Sequence, residues 1–143
     1  STLPGDPGVP RQNASLARRA LQFVETGNRV LADHDLSPDY VHHQPDAPMA
    51  TDRSGLEAMI LGLVRTAFPD VQVAIDDLVP SGDRVGVRFT ATGTHLGAFA
   101  GIPATGKPVQ WTANVIYRVA DRQIVEAWLV WDAAGLLGQI LAP

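Results

Sequence analysis

Cysteine is absent from the 143-residue chain, which excludes a disulfide framework and a thiolate zinc site and leaves nothing that marks an oxidising compartment. Basic residues are scarce as well: 11 Lys and Arg stand against 15 Asp and Glu, for a formal net charge of −4. A nucleic-acid surface carries a basic patch that replaces phosphate counterions, so no nucleic-acid partner is expected. No apolar run approaches the ~20 residues that cross a bilayer, and the N-terminal stretch lacks the basic-then-apolar layout of a signal peptide. No membrane partner is expected, and the cytoplasm is the default location. Charged residues make up 18% of the chain and hydrophobic ones 45%, which is too little charge for disorder and enough apolar surface for one core. The length fits a single domain.

Proline and glycine crowd the opening Ser1-Thr2-Leu3-Pro4-Gly5-Asp6-Pro7-Gly8-Val9-Pro10, so residues 1–12 read as a loose tail and 13–143 as the domain. Leu16, Ala20, Phe23 and Val24 recur at helical spacing and predict a helix over 14–26, stopped by Gly27-Asn28. A short helix is predicted over 29–35. Ser37-Pro38-Asp39 reads as a turn into a short extended segment, Tyr40-Val41-His42-His43. Leu56, Met59, Ile60, Leu63, Val64 and Ala67 form an apolar stripe and predict the strongest helix, with Ser54 and Glu57 as its capping box.

From Val71 the period changes from helical to alternating. Strands are predicted over Val71–Val79, Arg84–His95, Val109–Ala120 and Gln123–Trp131, separated by turn residues. Four strands with short connections imply an antiparallel meander. Asp132 then caps a last helix, 133–141, whose Leu136, Leu137, Ile140 and Leu141 share a face. The expected fold class is α+β: a curved antiparallel sheet wrapped around helices into a cone-shaped barrel with an apolar pocket.

Thr26-Gly27-Asn28, Tyr40-Val41-His42-His43, Phe68-Pro69-Asp70, Ser81-Gly82-Asp83-Arg84-Val85, Gly93-Thr94-His95-Leu96-Gly97, Gly101-Ile102-Pro103-Ala104-Thr105-Gly106-Lys107 and Tyr117-Arg118-Val119 through Ile124-Val125-Glu126-Ala127-Trp128 together resemble the SnoaL-like polyketide cyclases. The resemblance implies the cone fold shared with nuclear transport factor and ketosteroid isomerase, a homodimer, and chemistry on a deprotonatable small molecule with no bound cofactor. In the aldol cyclases of that family an Asp one place after the last-strand Trp takes the substrate proton. Here that place is Leu129, and the positions of its Gln and His partners are Ala113 and Val115. If Arg118 and Glu126 pair across strands on the outer face, then Ala113, Val115, Tyr117, Ala127, Leu129 and Trp131 point inward. A wall without a carboxylate cannot abstract a carbon-bound proton.

The remaining candidates follow from residue chemistry. His42 and His43 face opposite ways on an extended segment, so one can face the pocket as a general base, and His43 is the one expected to do so. Asp132 is a second candidate base at the pocket mouth, although its position equally suits a helix N-cap. Tyr40, Arg88, Trp111, Val115, Tyr117, Leu129 and Trp131 are the substrate-binding candidates: Arg88 to steady an oxyanion, or else to pair with a carboxylate, and the indoles to face a flat ligand. Asp33 and Asp35 read as solvated helix-end acids. His34 and His95 add no metal-like spacing, and no metal is expected. The glycine-rich stretches are hairpin connections rather than phosphate loops, with Pro103 as part of a lip over the pocket.

The expected function is a tailoring enzyme of aromatic, anthracycline-type polyketide biosynthesis. It is of the hydroxylase-like, cofactor-independent branch, acting on a hydrophobic polycyclic substrate. The alternatives are an aldol cyclase using another base and a binding protein without turnover.

Overall fold

The computed structural model describes residues 8–143. Helix α1 runs Gly8–Thr26, so residues 8–12 belong to a helix and not to the tail expected there; residues 1–7 lie outside the described part. Pro10 fits because it stands in the first turn, where a backbone N–H has no intrahelical acceptor to lose. Asn13, Leu16, Ala17, Leu21 and Phe23 are buried along one face. The helix ends where Gly27 takes φ +66 and donates its N–H to the carbonyl of Phe23 at 2.7 Å. That left-handed stop is one glycine adopts without strain. Asn28 then caps α2 (Arg29–Asp35), its side chain accepting from the N–H of Val30.

Strand β1 is Leu36–His43, longer than expected, and it includes the Ser37-Pro38-Asp39 stretch that the sequence suggested as a turn. It forms the edge of a five-stranded sheet of order β1-β5-β4-β3-β2. Pro38 is tolerated because an edge strand has one row of N–H groups that serves no neighbour. The other strands are β2 (Gln72–Ser81), β3 (Arg84–Thr94), β4 (Pro108–Ala120) and β5 (Gln123–Trp131). They form the expected antiparallel meander, whereas β1 pairs with β5 in parallel. The sheet is therefore mixed, curved and unclosed.

The middle helix departs most from expectation. Asp52, not Ser54, is the N-cap of α3 (Arg53–Met59), accepting from the N–H of Gly55, while Glu57 is buried and turned towards Arg29. A π-helical turn follows at Ile60–Val64, then a short α4 (Arg65–Ala67). The π turn rotates the stripe, so that Leu61 packs on the core and Leu63 is exposed. Helix α5 (Ala133–Leu141) buries Leu136 and Ile140 but exposes Leu141.

α1 lies against β2 and β3, and α3 against β1. The inner face of the sheet and the helices thus form a cone whose lip comes from the β3–β4 connection. There the backbone N–H groups of Leu96 and Gly97 both donate to the carbonyl of Ala67. A Cβ at Gly97 would stand 2.2 Å from the carbonyl oxygen of Thr66, so only glycine allows this approach. The hairpin it anchors turns at Ala100-Gly101, both at positive φ. Phe99 and Ala100, rather than Pro103, reach the cavity.

Candidate functional site

A cavity of about 360 Å³ opens inside the cone, within the usual range for small-molecule sites. One wall is the inner face of β4 and β5. Arg118 and Glu126 stand opposite one another and pair at 3.0 Å on the outer face. The alternation then turns Ala113, Val115, Tyr117, Leu129 and Trp131 towards the cavity, and all five line it. At one end Phe68, Phe99, Trp111 and Trp131 meet in tilted and edge-on ring contacts, with centroids 5.0–6.3 Å apart. Such a box presents broad rigid faces to a planar ligand.

The adjoining stretch of wall is polar and belongs to β1, which pairs with β5 in the same sheet. Tyr40 and His42 point inward, and their spacing continues through Gln44 and Asp46 in the turn beyond the strand; all four line the cavity. They form a hydrogen-bonded chain. Tyr40 Oη lies 2.7 Å from His42 Nδ1, His42 Nε2 lies 2.9 Å from Gln44 Oε1, and Gln44 Nε2 donates to Asp46 Oδ1 at 3.3 Å. Trp131 Nε1 closes the chain onto Asp46 Oδ2 at 2.6 Å. The direction of each bond follows from its far end. Asp46 only accepts, so Gln44 donates with its nitrogen and accepts with its oxygen. His42 therefore carries its proton on Nε2, and Nδ1 accepts from the Tyr40 hydroxyl.

The electrostatics agree with that assignment. Burial lowers the pKa of His42; the Gln44 contact works against the shift and neighbouring His43 adds to it. Burial raises Tyr40 well above the phenol range, with nearby Tyr117 adding to it, and burial alone raises Tyr117. Around neutral pH the cavity therefore presents one neutral imidazole and two protonated phenols, Tyr40 on β1 and Tyr117 on β4. Asp35 also lines the cavity and is 2% exposed, so it is not the solvated acid expected. Burial pushes its pKa up, but the hydrogen bonds from Arg19 and His34 outweigh that and leave it lowered. Its oxygens accept from Arg19 Nε at 2.8 Å and Arg19 Nη2 at 3.3 Å, and Oδ1 also lies 2.8 Å from His34 Nδ1. A carboxylate so held is a poor base.

Three candidates fall outside the cavity. His43 is on the outer face, 2.7 Å from Glu126 Oε2 and stacked on Trp128, because β1 gives the inward place to its neighbour. Arg88 pairs with Asp77 at 2.7 Å and Asp76 at 3.7 Å, on the exposed outer side of β3. Asp132 caps α5, its Oδ1 accepting from the N–H of Gly135 at 2.8 Å. His95 is fully buried under the lip, where its Nδ1 contacts Thr105. Asp33 sits near Arg53 at the surface. Among the described residues no His, Cys, Asp or Glu cluster could hold a metal ion, and no helix is long and apolar enough to cross a membrane. Gln44, Asp46, Phe68 and Phe99 were not expected in the site. The signal for the first two was on the page, since the inward spacing of 40 and 42 extends to 44 and 46.

The class these features define is a cone-shaped α+β fold around a largely apolar cavity of small-molecule size, with a hydrogen-bonded polar chain along β1 and the turn beyond it. The chain belongs to the SnoaL-like polyketide cyclases, whose family model matches residues 14–140. No curated protein sequence matches it. It is similar to the crystal structure of IdmH, a proposed polyketide cyclase from Streptomyces antibioticus, with TM-score 0.82 and 29% identity over 90% of this chain and 98% of that one. It is similar also to AclR, a proposed hydroxylase from Streptomyces galilaeus (TM-score 0.82, 27% identity, 92% of this chain and 82% of that one). TsrD from Streptomyces laurentii is a third similar structure (TM-score 0.81, 28% identity, 93% and 97%).

Proposed function

We propose that the protein is an enzyme that binds a flat, largely apolar polyketide and removes an oxygen-bound proton from it, with His42 as the base and Tyr40 as the relay. The observation that carries this reading is the position of His42: buried and inward-facing, with an oriented partner on each ring nitrogen, beside a β4–β5 wall whose cavity-lining side chains include no carboxylate.

A substrate hydroxyl approaching Tyr40 Oη gives its proton to that oxygen as Tyr40 passes its own to His42 Nδ1. The products are a substrate anion, a neutral tyrosine and an imidazolium whose Nε2–H remains on Gln44. An imidazole with a lowered pKa suits a phenol or an enolised ketone, whose acidity is far closer to its own than that of an unactivated carbon acid. Within this chemistry the hydroxylase-like branch is favoured. There the electron-rich anion reacts with dioxygen, and insertion of one oxygen atom with loss of the other as water takes two further electrons from an external reductant. The aldol cyclase alternative lacks a free carboxylate: Asp35 is locked by Arg19, and Asp46 already accepts from Gln44 and Trp131.

The test is turnover of an anthracycline-type aromatic precursor under labelled dioxygen with an added reductant. Label is expected in the product. His42→Gln should lower kcat by about 10²–10⁴-fold, the span of a lost general base. Product without label removes the hydroxylase branch, and full activity in His42→Gln removes the base.

A further inference from the structure

Tyr117 is the one cavity-lining phenol without an assigned role in that scheme. It is 6% exposed, and its hydroxyl makes no hydrogen bond to any described residue. Nor is the oxygen sealed in the core: the buried side-chain atoms without a partner are Glu57 Oε1 and His95 Nε2 only. A hydroxyl that is neither paired nor sealed, on a side chain that lines the cavity, opens onto the cavity.

Its place in the sheet shows what that hydroxyl can meet. Tyr117 on β4 is in register with Ala127 on β5, and Ala127 is in register with His42 on β1. The three residues form one row across the inner face, with Ala127 buried between the other two. A ligand in the cavity, which Tyr40, His42 and Tyr117 all line, meets the Tyr40–His42 pair along β1 and the Tyr117 hydroxyl on β4. Most of the remaining lining is apolar, so charge created on the ligand has few other groups to stabilise it.

We propose that Tyr117 Oη donates a hydrogen bond to the oxygen anion formed when His42 removes the proton, making the preferred ligand class a planar ring system with an ionisable phenol or enol oxygen. The inference rests on the reading of His42 as base and adds to it the group that holds the charge. The donor bonds an anionic oxygen more strongly than a neutral one, and therefore favours the ionised state.

4-Nitro-1-naphthol, whose anion is coloured, and its methyl ether are the probes. Bound to the wild-type protein, the naphthol should ionise at a lower pH than in solution. Tyr117→Phe should bind the anion about tenfold more weakly, the loss expected for one hydrogen bond to a charged oxygen, with unchanged affinity for the methyl ether. Thermal stability should be unchanged or higher, since no internal bond is removed. Equal anion affinity in both proteins overturns the inference, as does a marked loss of stability in the variant. If the wild type binds neither probe, the reading of the cavity fails along with it. Failure of the base alone appears elsewhere, as full turnover by His42→Gln, and leaves the ratio of anion to ether binding in Tyr117→Phe untouched.

Discussion

On β4 and β5, Leu129, Ala113 and Val115, which the family resemblance sets at the positions of a carboxylate and its polar partners, all line the cavity and leave it apolar there. On β1, beside β5 in the same sheet, and in the turn beyond it, Tyr40, His42, Gln44 and Asp46 are linked in one hydrogen-bonded chain that leads from a buried phenol to an exposed carboxylate. Both walls belong to one sheet and alternate by the same rule, so the scaffold does not dictate which of them carries the polar groups. On the proposed reading, a cone of this kind keeps its shape while its base moves from the end of the meander to the edge strand, and the acidity of the proton it can remove changes accordingly.

The most severe way to break this contrast is to return a carboxylate to the apolar wall. Leu129 is half-buried and packs against the main core, so Leu129→Asp should lower the folding free energy by roughly 2–5 kcal/mol through lost packing and the burial of a polar group. The new carboxyl should titrate above its ordinary range. Denaturant unfolding and carbon-13 NMR of the labelled aspartate check both points. A cost below about 0.5 kcal/mol would instead mark a surface position and place Leu129 outside the cavity. The same variant should gain hydrogen–deuterium exchange at the acidic carbon of a β-diketone probe.

A smaller effect sharpens the polar wall. The folded-state pKa of His42 is lowered by burial, so its contribution to stability is present above the unfolded value near ~6.5 and is lost as the pH falls through the folded-state value. The wild-type unfolding midpoint should therefore drop on acidification through that window. Replacing His42 with Gln should remove that part of the slope while lowering stability at higher pH through the lost Tyr40 contact. A His42→Gln profile parallel to wild type would mean that His42 is as hydrated as in the unfolded chain.

Much of the apolar wall was legible in the sequence because a charged pair, Arg118 with Glu126, marks the outer face. The two-residue turn at Ala120–Gln123 would by itself have set Arg118 opposite Val125, since the register shifts by one residue between Arg118 and Val119. The polar wall was not so readable. β1 lies parallel to β5, more than eighty residues away in the chain, and no local turn tells which of His42 and His43 faces inward. Pro38 reads as a break wherever an edge position is not recognised. The middle helix misled for a related reason: its composition carries no mark of the π turn at Ile60–Val64, which depends on packing rather than propensity. Asp132 and Arg88 had local roles that the sequence did offer as alternatives, and the structure places them in those roles.

The smallest expected effect separates the two adjacent histidines. His43 stacks on Trp128 at 5.3 Å and lies 2.7 Å from Glu126, which Arg118 also holds at 3.0 Å. Removing the imidazole leaves Glu126 paired, uncovers no cavity and touches nothing on the inner face. His43→Ala should therefore leave turnover and ligand affinity at wild-type values, and Arg88→Ala, whose partners are the exposed Asp76 and Asp77, should do the same. Steady-state kinetics on the three variants decides between the faces. If His43→Ala matched the loss expected of His42→Gln, β1 would have to be turned by one residue, which would carry Tyr40, Gln44 and Asp46 out of the cavity together. One side chain on the outer face thus tests the whole inner wall, because alternation permits no intermediate arrangement.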